Sequence, residues 1–298
     1  MNRDIQISIL GAGLVGSLLS IFLARKGFTV NIYEKRPDIR ISGSTGGRSI
    51  NLALSHRGWK ALEAVGLTDS VSDICLPMFG RMIHGEKGET AFQPYGKEGQ
   101  AIYSISRVHL NQLLLNKASF EGVNLFFEYK CRDVGFENGV ALLENINTNR
   151  CIEVKSDIII GADGAYSAFR QEMMKTERFN YCQDYLPQGY KELSIPPIDG
   201  DYALNPDALH IWPRQKFMFI ALPNPDKSFT CTLFLDYEGK DSFENLTDPK
   251  SVRTFFNKYF PDVVELMPDL TREFFSNPTS SLVTIKCYPW QKAGKATL

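Results

Sequence analysis

A glycine-rich stretch near the N-terminus constrains this chain more than any other feature. The apolar residues 5–10 lead into Gly11-Ala-Gly13-Leu-Val-Gly16, and a second apolar segment ends at Glu34. This spacing predicts a strand, a tight turn, a helix and a second strand: Gly11 permits the bend, Gly13 lets the backbone approach a pyrophosphate, and Gly16 lets the helix pack closely on the strand. The start of that helix favours a phosphate, since its unpaired N–H groups and its dipole both attract negative charge.

The acidic residue at the end of the second strand strengthens this interpretation. Glu34 lies about 20 residues beyond Gly13, where a carboxylate accepts hydrogen bonds from the ribose hydroxyls of an adenosine. The combination predicts a dinucleotide site, and the alternative is a tight turn without a ligand. The motif does not choose between FAD and NAD or NADP, because Lys35 and Arg36 suit either a 2′-phosphate or a solvated turn.

Composition excludes several classes of protein. The chain has 298 residues, 43% of them hydrophobic, and a formal net charge of −1, so nothing indicates a nucleic-acid partner or an anionic membrane surface. No apolar run reaches membrane-spanning length and no signal peptide is recognisable. The six cysteines form no CxxC and the four histidines are isolated, which predicts reduced thiols, a cytoplasmic protein and no metal site.

Two further segments are candidates for ligand contact. Residues 37–58 are rich in Gly, Ser and Arg, and such a loop suits a diphosphate or a flavin ring, although a crossover loop without a ligand is the alternative. Residues 157–160 form a buried strand that ends at Asp163-Gly164, which places a carboxylate at the carboxyl edge of the sheet, where open α/β sheets bind ligands. By itself an Asp-Gly pair is most often a turn.

The later part of the chain follows a different pattern. Residues 79–95 predict a hairpin outside the parallel sheet, and residues 209–214, 217–221 and 228–235 predict three antiparallel strands. A helix within 248–266 carries apolar residues at helical spacing and is expected to pack on that sheet. The fold class is therefore α/β (α+β overall), a Rossmann-like domain with an inserted antiparallel-sheet domain. The predicted limits are 1–70, 101–180 and 286–298 for the first domain, and 71–100 and 181–285 for the second.

These motifs together resemble a known enzyme family. The glycine turn with Glu34, Arg107 before a helix, and Gly161-Ala-Asp163-Gly164 are similar to the single-component flavin monooxygenases of the aromatic hydroxylase type. The longer strings Arg81-Met-Ile-His84, Ser104-Ile-Ser-Arg107 and Gly164-Ala-Tyr-Ser167 resemble the branch of that family that hydroxylates L-kynurenine. The resemblance runs through nearly the whole chain.

The resemblance implies roles for particular residues. Arg81 and Tyr95 would hold the substrate, since a guanidinium fork matches a carboxylate and a tyrosine hydroxyl can share it. Without the family, a surface Arg and a packed Tyr would be the simpler interpretation. The FAD site would be lined by Leu14, Glu34, Lys35, Arg36, Ala53, Arg107 and Cys131, with Asp163 and the three glycines nearby and Cys131 contributing its backbone.

The implied reaction is hydroxylation of L-kynurenine to 3-hydroxy-L-kynurenine with NADPH and O₂, on the route of tryptophan breakdown towards NAD or quinolinate. It needs no catalytic side chain, because the flavin carries the chemistry. The family pattern continues beyond residue 298 into a Gly-Asp motif and a helical region, which predicts that the chain is C-terminally truncated and weakly active alone. The alternatives are an NADP-dependent dehydrogenase and a non-catalytic flavin-binding fragment.

Overall fold

The computed structural model describes residues 5–42, 51–97 and 99–298, and it divides into two units. Unit 1 comprises Met1–Thr45, Val108–Asp184 and Thr284–Leu298, and unit 2 comprises Gly46–Arg107 and Tyr185–Val283. The predicted domains alternate along the chain in the same way. They differ from this division in placing residues 46–70 and 101–107 with the first domain and residues 181–184 and 284–285 with the second.

The helices and strands of the described residues are as follows, in chain order. They are β1 (Gln6–Leu10), α1 (Leu14–Arg25), β2 (Thr29–Glu34), α2 (Ile39–Ser42), β3 (Asn51–Leu54), α3 (His56–Ala64), α4 (Thr68–Ser72), β4 (Cys75–Met78), β5 (Gly80–His84), β6 (Thr90–Pro94), β7 (Ile102–Ser106), α5 (Arg107–Phe120), β8 (Asn124–Phe127), β9 (Tyr129–Gly135), β10 (Val140–Asn145), β11 (Cys151–Lys155), β12 (Ile158–Gly161), α6 (Ala168–Met174), β13 (Asn180–Ile195), β14 (Ala208–Arg214), β15 (Phe217–Pro223), β16 (Phe229–Asp236), a 3₁₀ helix (Phe243–Asn245), α7 (Pro249–Tyr259), α8 (Pro261–Val264), α9 (Leu270–Ser276), β17 (Thr279–Tyr288), β18 (Gln291–Lys292) and β19 (Ala296–Thr297).

Unit 1 is organised around a mainly parallel sheet with the strand order β18-β19-β12-β1-β2-β8. Strand β1 lies between β2 and β12 and is parallel to both, with Ile9 opposite Ile32 on one side and Ile160 on the other. The apolar residues of these strands are buried, which explains why they read as nearly continuous hydrophobic runs. Because the strands are parallel, the residues that follow β1, β2 and β12 lie at one edge of the sheet.

The predicted third core strand ends earlier than the sequence suggests. The apolar run to Tyr129 predicts a single strand, but Glu128 adopts a left-handed conformation with φ of 67°. This conformation breaks the extended backbone, so β8 stays in the parallel sheet while β9 joins β10 and β11 in a separate antiparallel sheet. Strands β10 and β11 form an antiparallel hairpin.

Unit 2 contains the predicted antiparallel layer, with the strand order β17-β13-β16-β15-β14-β5-β6. Strands β5 and β6 form the predicted hairpin, and β5 joins the sheet by pairing in parallel with β14. Helix α7 packs on this sheet as expected, and its Phe256 ring contacts the Phe219 ring edge to face at 5.8 Å between centroids. Strands β3, β7 and β4 form a second, smaller sheet in this unit.

Within the described ranges, no helix is both long enough and apolar enough to cross a bilayer. All six cysteines are free thiols.

Candidate functional site

The three glycines of the turn after β1 differ in what the fold requires of them. Gly11 has φ of +109°, and a Cβ there would lie 2.5 Å from the carbonyl oxygen of Ala162. A Cβ on Gly16 would lie 2.0 Å from the carbonyl oxygen of Gly11. A Cβ on Gly13 would have no atom within 4 Å. The first and third glycines are therefore needed for packing, whereas Gly13 leaves open space beside the start of α1.

The start of α1 is built as an anion site. Gly13 is the N-cap residue, and no side chain among the described residues caps the helix there. The N–H groups of the first turn, beginning at Leu14, therefore keep their capacity to bind an anion. The turn itself is held in place by its Ala12 carbonyl oxygen, which accepts from Asn111 Nδ2 and Ser17 Oγ, each at 3.1 Å.

Glu34 lies beside this turn. Its Oε2 accepts a hydrogen bond from the Ala12 N–H at 2.9 Å, and its Oε1 accepts one from the Arg36 N–H at 3.0 Å. The carboxylate thus stays at the end of β2, where the predicted role is to accept from ribose hydroxyls. Lys35 and Arg36 are exposed. Together with the open space beside Gly13, the Glu34 carboxylate and the N–H groups at the start of α1 form a cradle. The N–H donors fit the pyrophosphate of FAD, and the carboxylate acceptor fits its ribose.

Asp163 has a capping role that the sequence analysis did not foresee. Its Oδ2 accepts hydrogen bonds from the N–H groups of Ala168 and Phe169 at 2.7 and 3.2 Å, which holds the start of α6. Its Oδ1 is buried and has no hydrogen-bond partner in the described part of the chain. Since a buried acceptor without a donor is costly, this oxygen is suited to a ligand hydroxyl or amide.

The remaining predicted flavin residues are divided between the two units. Cys131 lies on β9 in the buried cluster that includes Leu10 and Tyr33, and burial raises the pKa of its thiol to about 12. The side chain is thus a neutral, packed thiol, and the expected FAD contact through its backbone stays a prediction. Ala53 is an exposed residue of β3, and Arg107 is the exposed first residue of α5, both in unit 2. The glycine-rich loop predicted to face the flavin has residues 43–50 outside the described residues.

Unit 2 brings the two predicted substrate residues together. Arg81 on β5 and Tyr95 at the end of β6 meet across the hairpin, with the guanidinium carbon 5.2 Å from the centre of the Tyr95 ring. The phenol oxygen is buried and has no hydrogen-bond partner among the described residues. Burial raises the pKa of Tyr95, and the nearby Arg81 guanidinium opposes that shift. The pair thus offers a cation and a neutral hydroxyl on one hairpin.

Comparison with known proteins identifies the family of this chain. Residues 4–251 match the family model described as an FAD binding domain. The chain is 48% identical over 299 residues to the kynurenine 3-monooxygenase of Flavobacterium johnsoniae, covering 100% of this chain and 67% of the relative. It is 46% identical over 296 residues to the Sus scrofa enzyme of the same name, covering 96% of this chain and 61% of the relative. The chain belongs to the kynurenine 3-monooxygenase family.

Membership of the kynurenine 3-monooxygenase family makes this chain part of a flavin monooxygenase with FAD as its cofactor, as the family resemblance implies. The dehydrogenase and non-catalytic alternatives are not favoured by these relatives. The chain spans about two thirds of the length of the curated relatives it matches. The roles of individual residues stay predictions.

Solved structures support the fold. The tetrameric form of 2-methyl-3-hydroxypyridine-5-carboxylic acid oxygenase superposes with a TM-score of 0.77 at 19% identity, covering 99% of this chain and 74% of that one. A tetracycline destructase superposes with a TM-score of 0.64 at 17% identity, covering 99% and 73%. The predicted fold class, a Rossmann-like FAD-binding fold with an antiparallel sheet, is therefore confirmed.

Proposed function

We propose that the whole protein converts L-kynurenine to 3-hydroxy-L-kynurenine, with NADPH as reductant and O₂ as oxidant. The balanced reaction takes kynurenine, NADPH, one proton and O₂ to the hydroxylated product, NADP⁺ and water. Bound FAD supplies the oxygen-transfer chemistry. The carrying observation, beyond the identity to curated relatives, is that the Arg81 guanidinium lies over the Tyr95 ring on one hairpin, while the buried Tyr95 hydroxyl has no hydrogen-bond partner among the described residues.

The protein's own residues then have binding tasks. The N–H groups at the start of α1 bind the pyrophosphate of FAD, and Glu34 accepts from its ribose. Arg81 binds the amino-acid carboxylate of the substrate, because a guanidinium presents parallel N–H donors to two carboxylate oxygens. The Tyr95 hydroxyl donates to the same group and thereby gains the partner that the fold does not supply. Holding the substrate in one orientation lowers the entropic part of the barrier to ring hydroxylation.

The deciding experiment compares NADPH oxidation with the formation of 3-hydroxykynurenine in the whole protein and in its Arg81→Ala variant. Loss of a charge-assisted contact is expected to raise the kynurenine KM by roughly 10- to 100-fold while FAD affinity stays the same. Arg150→Ala is the matched control, since Arg150 is exposed in the turn between β10 and β11. Absence of hydroxylated product in the wild type would contradict the proposed function, and an unchanged KM would contradict the role of Arg81.

A further inference from the structure

A line of hydrogen-bonding groups crosses unit 2 from the buried His210 of β14 through the buried His84 of β5 to the exposed Asp262 of α8. His210 Nε2 lies 2.8 Å from the carbonyl oxygen of Asn205, His210 Nδ1 lies 2.8 Å from His84 Nε2, and His84 Nδ1 lies 3.1 Å from Asp262 Oδ2. The two histidines are 5% and 2% exposed. His84 also stacks on the Trp212 ring, with 4.0 Å between ring centres. The predicted functional site uses none of these groups.

Counting hydrogens shows that this line needs one more hydrogen than two neutral imidazoles and a carboxylate supply. Each of its three contacts needs one hydrogen, and neither the Asn205 carbonyl nor an ionised carboxylate brings one. Two neutral imidazoles bring only two hydrogens, one each. If both histidines were neutral and Asp262 ionised, one contact would therefore set two lone pairs against each other. The third hydrogen makes one imidazole cationic or makes Asp262 a neutral acid.

The neighbours decide where the third hydrogen lies. Asp262 Oδ2 also accepts from Trp212 Nε1 at 2.8 Å, as an ionised carboxylate does. Burial raises the pKa of Asp262, but the hydrogen bonds from its two ring neighbours outweigh this and lower it overall. Burial lowers the pKa of His210 to about 4, so that ring is neutral. The remaining candidate is His84.

Other charged groups act on this ring from the elements packed around it. Arg214 on β14 donates to the His84 carbonyl oxygen at 2.9 Å, so its positive charge opposes a cation at His84. Glu89 accepts from the Lys87 N–H in the turn that follows β5. Asp262 is the carboxylate in direct contact with the ring, at 3.1 Å from Nδ1 of the buried His84.

We propose that His84 is a positioning residue: as an imidazolium it ties β5 to α8 through Asp262 and so fixes the strand that carries Arg81. The link between His84 and kynurenine binding rests on the proposed function. The protonation of His84 does not depend on that function. Loss of the third hydrogen leaves the His84–Asp262 contact as two facing lone pairs, which releases β5 from α8. The Arg81 guanidinium is then no longer held in a fixed position for binding the substrate carboxylate.

The protonation is tested by long-range ¹H–¹⁵N correlation spectra of the histidine rings in the labelled chain at pH 7.5. We expect two protonated nitrogens in His84 and only Nε2 protonated in His210, with the ring of exposed His56 as the reference. In Asp262→Asn, His84 is expected to carry a single ring proton at the same pH, while His56 is unchanged. A neutral His84 in the wild type, or a cationic His210, would overturn the assignment.

The positioning role is tested by steady-state kinetics of the whole protein carrying His84→Gln. We expect the kynurenine KM to rise at least about fivefold, with kcat within about twofold and FAD affinity unchanged, because a misplaced binding group weakens binding before chemistry. Arg150→Ala, in the exposed turn between β10 and β11, is the control. An unchanged kynurenine KM in a His84→Gln variant with a normal melting curve overturns this role. If His84→Gln does not fold, the kynurenine KM of Asp262→Asn is measured instead, and the same rise is expected. A wild type that is inactive on kynurenine contradicts both the proposed function and the positioning role. The histidine ring spectra test the protonation of His84 independently of that activity.

Discussion

The carboxylate of Glu34 accepts a hydrogen bond from the Ala12 N–H at 2.9 Å, and this contact joins the end of β2 to the turn after β1. Its other oxygen accepts from the Arg36 N–H. The two contacts keep the carboxylate beside the start of α1, so the predicted acceptor for a ribose lies close to the predicted donors for a pyrophosphate. Such preorganisation reduces the ordering cost of binding.

Replacing this carboxylate with an amide tests its role in cofactor binding. Glu34→Gln keeps the shape of the side chain but removes its charge, so we expect the FAD dissociation constant to rise about tenfold, the effect of weakening one charge-assisted hydrogen bond. Titration with FAD, followed by tryptophan fluorescence, measures this change. Glu121→Gln is the control, since Glu121 is paired with Arg25 and Lys117 in the same unit. Equal affinities in the two variants would rule out the predicted contact.

The glycines of the turn give a matched pair of alanine substitutions. In Gly16→Ala the new Cβ meets the Gly11 carbonyl oxygen at 2.0 Å, which forces α1 away from β1, so the melting temperature and FAD binding should both fall. In Gly13→Ala the Cβ meets no atom within 4 Å, so the fold should tolerate it while FAD binding weakens. Thermal melts and FAD titrations of both variants distinguish packing from ligand contact. Normal FAD binding by Gly13→Ala would show that the cofactor does not approach that glycine.

Removal of the Tyr95 hydroxyl is expected to weaken substrate binding without lowering the stability of the fold. The hydroxyl makes no hydrogen bond within the described residues, so Tyr95→Phe should leave the free energy of unfolding within about 0.5 kcal/mol of the wild type. The kynurenine KM should nevertheless rise severalfold, because the ligand loses a donor. Tyr202→Phe is the converse control: Tyr202 donates to the Asn224 carbonyl oxygen at 2.9 Å, and its loss should cost about 1 kcal/mol of stability without changing KM. A destabilised Tyr95→Phe with normal KM would mean that the hydroxyl serves the fold.

Buried His210 predicts how stability depends on pH. Burial lowers the pKa of His210 to about 4, whereas a histidine in the unfolded chain titrates near 6.5. Between these values the unfolded chain binds a proton that the folded chain does not, so stability falls as the pH falls from about 6.5 to about 4, by about 3 kcal/mol at most. Urea unfolding of the wild type and of His210→Gln at pH 7.5 and pH 5 isolates this loss from any contribution of His84, and His56→Gln should behave as the wild type. A wild type whose stability changes with pH as that of His210→Gln does would contradict this burial effect.

The parts of the structure that follow from sequence are those in which neighbouring residues determine each other. The turn around Gly11 and Gly16 follows from local backbone geometry, and the hairpin that carries Arg81 follows from alternation on both sides of a glycine-rich turn. The isolation of the histidines along the chain gave no indication that His84 and His210 are in contact, because β5 and β14 become neighbours only when the sheet forms.

Two other features depended on single atoms or angles. The break at Glu128 arises from one positive φ angle at a residue type that rarely adopts it, and apolar patterning carries no signal for it. The capping of α6 by Asp163 depends on how the chain returns after Gly164, so an Asp-Gly pair alone did not reveal it.

The pairing of β19 with β12 has a consequence for the order of folding during synthesis. All of unit 2 leaves the ribosome before residues 284–298, the last segment of unit 1, whose strand β19 pairs with β12. The N-terminal strand β1 must likewise wait for β12 before its second neighbour exists. Such long-range pairings form slowly. The edge of the parallel sheet at β12 therefore stays unpaired on that side until residues 296–297 have been synthesised.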